Sequence, residues 1–274
     1  MSRKKILIIG GQGQMGSLFL KYFQKSKDNH VDTLDKGEWE NKASLIKDYH
    51  LVLISTPINI TDDIIKLVAQ YTGPETIMAD LTSIKTRPLQ TMMDYHSGPV
   101  LGMHPIFGPT IDKPNKQVII HCHGRQRSKY LWVLEYLNHI NFKLIELNAI
   151  RHDKIMDYIQ GVEHFSTYCL GVFLEKEELD IQQLYDMASP IYKLELSILG
   201  RLFAQDAKLY QDIITHDKTR LAKIGDFVKS MNKEYQSLCK NKNEFEVKFK
   251  TVTSWMGSFA KNSQQKTDRI IKLK

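Results

Sequence analysis

Short apolar runs alternate with amphipathic stretches through the first half of the chain. The runs have the length of buried strands, and the stretches between them repeat their apolar positions at helical spacing. Such alternation predicts an α/β fold with a doubly wound parallel sheet. The predicted strands are 6–9, 31–34, 51–55, 76–79, 100–103, 118–120 and 143–147, and the predicted helices are 15–23, 64–71, 88–95 and 130–139.

From residue 150 onward the periodicity is helical, and no strand pattern returns. Ser189 followed by Pro190 is typical of an N-cap with proline at the first helical position. Further helices are predicted over 207–214, 218–238 and 245–260. The pattern divides the chain into a sheet domain, 1–149, and an all-helical domain, 150–274. Helical domains of this length commonly bury apolar faces against a second copy, so we expect a homodimer.

A glycine-rich segment joins the first predicted strand to the first predicted helix. Residues 11–16 read G-Q-G-Q-M-G, which is the pattern G-x-G-x-x-G. Gly11 allows a tight turn, Gly13 lets the backbone approach a pyrophosphate, and Gly16 lets the helix pack against the strand. The helix N-terminus then directs N–H groups and partial positive charge toward phosphate. Because the motif lies between a strand and a helix, it favours a Rossmann-type dinucleotide site over a glycine turn that binds nothing.

Other parts of the cofactor site are expected where neighbouring strands end. Asp35 closes the second predicted strand, about 20 residues past the glycines, where an acidic side chain grips the ribose hydroxyls. Ligands of doubly wound sheets lie beyond the carboxyl ends of the strands, so residues 55–57, 80–83 and 104–105 also face the expected site. The predicted cofactor-binding residues are Gly11, Gly13, Gln14, Met15, Gly16, Asp35 and Thr56.

Two of these strand ends carry groups able to do acid–base or anion chemistry. His104 lies between a glycine and a proline and titrates near neutral pH, which suits a general base; the alternative is a loop histidine that only binds backbone. Ser83 either caps the next helix or hydrogen-bonds His104 or a substrate hydroxyl. Lys85 is either a solvated residue of the first helical turn or a group that attracts an anion.

The helical domain offers a polar stripe. Asp153, Asp157, Gln160, His164 and Thr167 recur at three- and four-residue steps and so share one helix face. An exposed amphipathic face explains this most simply. If the helix forms the domain junction, however, His164 is expected to look toward the cofactor.

A single arginine is the second candidate in this domain. Arg201 ends the helix that begins at Ser189, where a cation suits the helix C-terminus. Because Leu199, Leu202 and Phe203 flank it, we expect the side chain to be partly buried and therefore to need an anion. A substrate carboxylate matches the guanidinium fork.

Composition excludes several classes of protein. The net charge of +7 is concentrated in residues 240–274, with nine Lys or Arg against three Asp or Glu, and this run lacks the interleaved aromatic residues of a nucleic-acid surface.

No apolar run approaches the roughly 20 residues of a membrane helix, and no signal peptide is apparent, so a cytoplasmic enzyme is expected. Three scattered cysteines fit a reducing compartment, and no second ligand pair accompanies the His-Cys-His at 121–123, so no metal is expected.

Six segments together carry a far more specific signal than the glycine motif. They are residues 9–16, 80–85, 102–109, 152–153, 189–195 and 200–206. Through them the sequence resembles the prephenate dehydrogenase family, and is most similar to the dehydrogenase half of the bifunctional chorismate mutase/prephenate dehydrogenases. Beyond Asp217 only a helical pattern is shared.

The resemblance implies oxidative decarboxylation of prephenate by NAD to 4-hydroxyphenylpyruvate, carbon dioxide and NADH, on the route to tyrosine. It implies that His104 accepts the ring hydroxyl proton as hydride leaves the same carbon, and that Ser83 orients both groups. It implies that Arg201 binds a substrate carboxylate, and that Lys85 is a substrate-binding residue near the site. His164 matches a position linked to the active site and to tyrosine as a feedback ligand.

Three alternatives remain open at this stage. One is arogenate dehydrogenase, which performs the same chemistry on a side chain bearing an amine. Another is the use of NADP, for which Lys36 beside Asp35 leaves a little room. The third is a nucleotide- or tyrosine-sensing protein without turnover. Relatives of this subtype usually carry a mutase domain before the first strand, which begins here by Lys4, so we expect a monofunctional dehydrogenase or a trimmed chain.

Overall fold

The chain folds as two compact units. The computed structural model describes residues 3–39, 43–241 and 243–272, so Lys242 and the last two residues of the basic run lie outside it. The units are Met1–Met156 and Asp157–Lys274. The sequence pattern placed the boundary seven residues earlier, before the helix Ala149–Met156. That helix belongs with the sheet because its His152 and Met156 are buried there.

The first unit is built on one sheet of seven strands. Four inner strands are largely apolar and are buried on both faces along most of their length, as expected where helices cover both sides. The strands are β1 (Lys4–Ile9), β2 (Asn29–Leu34), β3 (Leu51–Ile54), β4 (Ile77–Asp80), β5 (Val100–Pro105), β6 (Val118–Arg125) and β7 (Lys143–Glu146). Their order is β2-β1-β3-β4-β5-β6-β7. The predicted doubly wound fold is confirmed in this arrangement.

The direction of the last two strands corrects the prediction of a wholly parallel sheet. β6 pairs with β5 antiparallel, and β7 then pairs with β6 in parallel. The other neighbours are parallel. Parallel strands need a crossover, usually a helix, and the segment 106–117 between β5 and β6 contains no helix. β6 therefore returns alongside β5.

Helices cover both faces of the sheet and enclose two apolar cores. They are α1 (Gln14–Phe23), α2 (Ile58–Ala69), α3 (Thr86–Tyr95), α4 (Arg127–His139) and α5 (Ala149–Met156), with a 3₁₀ turn at Ala43–Asp48. One core joins α1 and α4 to the sheet, and its centre is aromatic: the Phe19 ring lies 6.2–6.4 Å from those of Tyr22, Phe23 and Phe142. The second core joins α2 and α3 to the opposite face.

The second unit is helical throughout its described residues. It begins with a π-helical turn at Asp157–Val162, followed by α6 (Glu163–Lys176), α7 (Ile181–Met187), α8 (Pro190–Phe203), α9 (Ala207–Thr215), α10 (Lys218–Lys240), α11 (Asn243–Met256) and α12 (Ser258–Lys272). The predicted cap is confirmed, since Ser189 Oγ accepts the Tyr192 N–H at 3.3 Å. The single helix predicted over 245–260 is wrong, because Gly257 adopts a φ of +52° and separates two helices.

The helices of the described chain fall short of what a lipid bilayer requires. None combines the length and the apolar character needed to cross a membrane.

The aromatic core is expected to dominate the stability of the first unit. Replacing the fully buried Phe19 by alanine should lower the free energy of unfolding by about 3–5 kcal/mol, because it leaves a cavity among three other rings. A urea titration followed by circular dichroism measures this loss. Leu131→Ala, at a half-exposed position of α4, is the control and should change stability by less than about 1 kcal/mol. Equal losses in the two variants would contradict this account of the core.

Candidate active site

The glycine turn at the end of β1 is built by close backbone approaches. Gly10 has a φ of +82°, and a Cβ there would lie 2.4 Å from the Ser55 carbonyl oxygen. The Gly13 N–H donates to the Gly10 carbonyl oxygen at 3.1 Å, so Gly11 lies within a tight turn as predicted, and the positive φ of that turn belongs to Gly10. Gly11 is needed for a different reason, since its Cβ would lie 2.2 Å from Thr33 Cγ2 in the neighbouring strand. The packing role predicted for Gly16 is confirmed: a Cβ there would lie 2.2 Å from the Gly10 oxygen.

The N-terminus of α1 is presented to solvent beside this turn. Among the described residues no side chain caps the helix, and Gly13 and Gln14 are exposed. Backbone N–H groups at an uncapped helix start suit an anion such as phosphate. Met15 is half-buried and packs against the aromatic core. Its side chain thus supports the turn from behind.

Two further predicted cofactor residues lie beside the turn. The Asp35 carboxylate accepts the Gln12 N–H at 3.1 and 3.3 Å from its two oxygens. Thr56 Oγ1 lies 3.0 Å from Thr61 Oγ1, and Thr56 Cγ2 would lie 3.5 Å from a Cβ on Gly10. The structure therefore gathers the glycines, an acidic side chain and a hydroxyl at the carboxyl edge of the sheet.

A chain of hydrogen bonds runs behind the end of β5. His104 is buried on this strand, and its Nδ1 lies 2.8 Å from Nε2 of the fully buried His152. His152 Nδ1 lies 2.7 Å from Asp153 Oδ1. The same carboxylate accepts the backbone N–H groups of Lys85 and Thr86, each at 2.8 Å. Asp153 is thus held at the start of α3 and orients both rings.

The hydrogen bonds that link Asp153, His152 and His104 determine which nitrogen of each imidazole carries a proton. A carboxylate only accepts hydrogen bonds, so the Nδ1 of His152 carries a proton and donates it to Asp153. When His152 is neutral, its Nε2 is an acceptor, so Nδ1 of His104 must be the donor to it. The lone pair of His104 then resides on Nε2. We assign this tautomer from the hydrogen-bond network.

The pKa shifts of His152 and Asp153 agree with this placement of the protons. Burial lowers the pKa of His152 below its ordinary value of 6.5, although the bond to Asp153 acts in the opposite direction. Burial by itself raises the pKa of Asp153, but the hydrogen bonds from His152, Thr86 and the Lys85 backbone outweigh it and hold that pKa far below the usual range. Near neutral pH, Asp153 is ionised and His152 is uncharged.

The position of Lys85 corrects its assignment as a substrate-binding residue. Its side chain is fully buried and forms an ion pair with the equally buried Asp80. Its ammonium also donates to Thr82 Oγ1 at 3.2 Å and to the Met103 carbonyl oxygen at 2.8 Å. An ammonium has three N–H donors, and these contacts engage all of them. Lys85 is therefore neither solvated nor directed at an external anion.

Ser83 stands half-buried in the segment between β4 and α3. The N-cap position of α3 is Lys85, so the capping alternative for Ser83 is wrong. Its role toward His104 or a substrate hydroxyl stays a prediction.

The helical unit holds its own polar cluster around His164. His164 Nδ1 lies 2.6 Å from Glu163 Oε2, and its ring meets the Tyr210 ring edge-on at 5.0 Å. The Tyr210 hydroxyl accepts a bond from Gln205 at 2.9 Å, and the same amide donates to the Arg201 carbonyl oxygen. Arg201 is exposed, so the expectation of partial burial was wrong: α8 buries only Leu196 and Leu199.

The predicted polar stripe does not form one face. A π-helical turn between Asp153 and His164 changes the rotation per residue. Asp153 serves the imidazole chain, while Asp157 accepts from Nε of the fully buried Arg220 at 3.1 Å. His164 and Thr167 are both bonded to Glu163.

Sequence reasoning missed the roles of three polar residues, of which Asp80 and His152 are fully buried and Asp153 is partly buried. His152 and Asp153 have partners 48 and 68 residues away in His104 and Lys85, which no local pattern predicts, and Asp80 pairs with the nearby Lys85 only because both side chains are buried. The available signal was that Asp80 and the pair His152-Asp153 lie within the segments shared with the family.

The fold and the site together define a Rossmann-type nucleotide-binding protein with a helical second unit. Comparison with known sequences agrees. The family profile described as prephenate dehydrogenase, nucleotide-binding domain, matches residues 21–118, and the one described as prephenate dehydrogenase, dimerization domain, matches residues 148–251. The chain belongs to the prephenate dehydrogenase family.

Individual relatives extend the match over nearly the whole chain. The T-protein of Enterobacter agglomerans is 40% identical over 94% of this chain and 69% of its own length. The T-protein of Haemophilus influenzae is 37% identical over 97% of this chain and 71% of its own length. Among solved structures, the prephenate dehydrogenase of A. aeolicus in complex with hydroxyphenyl propionate and NAD+ has a TM-score of 0.70 at 17% identity, covering 93% of this chain and 97% of that one. That structure shares the fold.

The buried neutral state of His152 predicts a loss of stability in acid. Because its pKa is lowered in the folded state, unfolding takes up a proton once the pH falls below about 6.5, so its contribution is complete above that pH and declines below it. His152→Gln should flatten the decline between pH 7.5 and 5 by up to about 1.4 kcal/mol per pH unit. Urea titrations at several pH values measure the slope. An unchanged slope in His152→Gln would contradict a neutral buried ring.

Proposed function

We propose that this chain is an NAD-dependent prephenate dehydrogenase that produces 4-hydroxyphenylpyruvate and carbon dioxide for tyrosine synthesis. Membership of the family supports the reaction class. The observation that carries the proposal is the chain of bonds from Asp153 through His152 to His104, because it prepares one imidazole nitrogen to accept a proton. Oxidation of an alcohol carbon needs such a base.

His104 is the proposed catalytic base. Its Nε2 accepts the proton of the ring hydroxyl while hydride leaves the carbon that bears it. The Nδ1–H of His104 remains bonded to His152, so the ring keeps its orientation as it becomes positively charged. Loss of the ring carboxylate as carbon dioxide makes the product aromatic, which renders the step effectively irreversible. Ser83 is proposed to orient the substrate hydroxyl toward this base.

The glycine turn fits NAD. A side chain at Gly10, Gly11 or Gly16 would collide with neighbouring atoms, and the N-terminus of α1 supplies backbone donors for phosphate. NAD, when bound, accepts the hydride on its nicotinamide ring. Asp35 is proposed to bind the ribose hydroxyls, and its negative charge disfavours the 2′-phosphate of NADP. Gly13, Gln14, Met15 and Thr56 complete the proposed cofactor set.

The helical unit is proposed to contribute to substrate recognition. Arg201 is exposed and carries a planar guanidinium, which suits a carboxylate of prephenate. His164 lies in the same polar cluster as Gln205 and Tyr210, so it is a proposed contact for substrate and for tyrosine as a feedback ligand.

Replacing His104 by asparagine tests the proposed chemistry. Formation of NADH from prephenate, followed at 340 nm, should show kcat reduced by about 10²–10⁴-fold, because the proton acceptor is lost. KM for prephenate should stay within about threefold. His139→Asn, at the end of α4, is the control and should keep the wild-type rate. An unchanged kcat in His104→Asn would remove this residue from the chemistry.

The same assay separates the alternatives. Faster turnover of arogenate than of prephenate would reassign the substrate, and faster turnover with NADP would reassign the cofactor. Nucleotide binding in a calorimeter without any product would favour a sensing protein.

The second unit is proposed to form a homodimer. Its family profile is a dimerization domain, and its last helices expose large apolar side chains. Trp255 is 80% exposed, Phe259 65% and Phe249 62% in a single chain. Apolar surface of this extent marks an interface between copies.

Charge placed on this surface should prevent the dimer. Light scattering after size-exclusion chromatography should give twice the chain mass of 31.8 kDa for the wild type. Trp255→Glu should shift the population toward the single-chain mass, because a carboxylate cannot be buried there without a partner. Lys27→Glu, on an exposed loop of the first unit, should remain dimeric. A wild-type protein that elutes as a monomer would contradict the proposal.

A further inference from the structure

A buried ion pair lies directly behind the strand that carries His104. The Asp80 and Lys85 side chains have no exposed area, and one Asp80 oxygen accepts from Lys85, from the Thr82 hydroxyl and from the Thr82 N–H. Desolvating two charges is expensive, and replacing a buried pair by apolar residues is often neutral or stabilising. A gain in folding stability therefore does not explain why this ion pair is buried here.

The Lys85 side chain fixes the backbone next to His104. Its ammonium donates to the carbonyl oxygen of Met103 at 2.8 Å. β5 makes room for the lysine at Gly102, where a Cβ would lie 3.2 Å from Lys85 Cδ and 3.5 Å from Asp80 Oδ1. The bond joins the end of β5 to the end of β4 through a charged group.

The Lys85 backbone is also connected to His104, through a series of hydrogen bonds. Its N–H donates to Asp153 Oδ1 at 2.8 Å, and the same oxygen lies 2.7 Å from His152 Nδ1. His152 in turn lies 2.8 Å from His104. One residue therefore determines both the position of the strand under His104 and the anchor of the chain that orients its ring.

We propose that Lys85 is a positioning residue of the proposed dehydrogenase reaction: buried with Asp80, it holds His104 in place through the Met103 carbonyl and through Asp153, and does not contact the substrate. The inference rests on the proposed function for its kinetic consequence. Its structural content concerns the imidazoles alone and is measurable without turnover.

Two variants separate positioning from stability. Lys85→Met removes the ammonium and keeps the length of the side chain. Lys85→Met combined with Asp80→Asn also removes the carboxylate that the single change leaves buried and unpaired. We expect kcat with prephenate to fall at least about tenfold in both, with KM within about threefold, because the base is displaced while substrate contacts remain. The double variant should regain thermal stability and still have the low kcat.

Lys129→Met is the matched control. Lys129 is an exposed lysine of α4 that pairs with Glu75, and its loss should leave kcat, KM and thermal stability unchanged. A raised KM for prephenate with an unchanged kcat in Lys85→Met would show that Lys85 contacts the substrate and would overturn the proposal. Recovery of kcat in the double variant would overturn it as well, since Lys85 would then serve stability only.

Nitrogen NMR of the histidine rings tests the inference without substrate. In Lys85→Met the His152 ring should take up a proton at higher pH than in the wild type, because a nearby cation that lowers the pKa of His152 is gone. The His104 signals should shift as its surroundings change. Identical signals in the two proteins would overturn the positioning role. If the wild type does not turn over prephenate, the proposed function fails and this measurement still decides the inference.

Discussion

Two imidazole nitrogens 2.8 Å apart can share only one proton, and this constraint organises the sheet unit. An ionised Asp153 determines which nitrogen of His152 carries its proton, and His152 determines the same for His104. Both imidazoles are buried and Asp153 is partly buried, so little water competes for these hydrogen bonds. Burial keeps His152 uncharged, and two backbone donors at the start of α3 keep Asp153 ionised. The protonation pattern of His104 is thus set by a hydrogen-bond network that spans β5, α5 and the start of α3.

The same network explains why a sheet domain tolerates so many buried polar groups at one edge. Asp80, Lys85, His104 and His152 are all nearly or fully inaccessible, and each has a charged or hydrogen-bonding partner, although Asp80 Oδ1 has no hydrogen bond among the described residues. Buried polar groups are costly when partly satisfied and rigid when well satisfied. The apolar cores on either face of the sheet supply the stability, and the polar edge supplies the orientation.

The helical unit follows a different principle. Few of its side chains are buried within a single chain, and the exposed ones on the last helices are large and apolar. Caps at Ser189, Asp206 and Asp217 define where its helices begin. Its polar interior is concentrated at the π-helical turn, where the buried Arg220 binds Asp157 and a carbonyl of α9. Residues close in sequence determine where these helices begin, whereas the large apolar side chains of the last helices stay exposed within a single chain.

The amino-acid sequence alone determined the features that are local or periodic. These include the alternation of strands and helices, the glycine turn, the cap at Ser189 and the acidic residue that closes β2. It did not determine the direction of β6, the burial of Lys85 or the exposure of Arg201. Nor did it assign roles to His152 and Asp153, whose partners lie 48 and 68 residues away. Local patterns arise from backbone geometry within a few residues, whereas proton order and burial arise only when distant segments pack together, so the tertiary structure decided them.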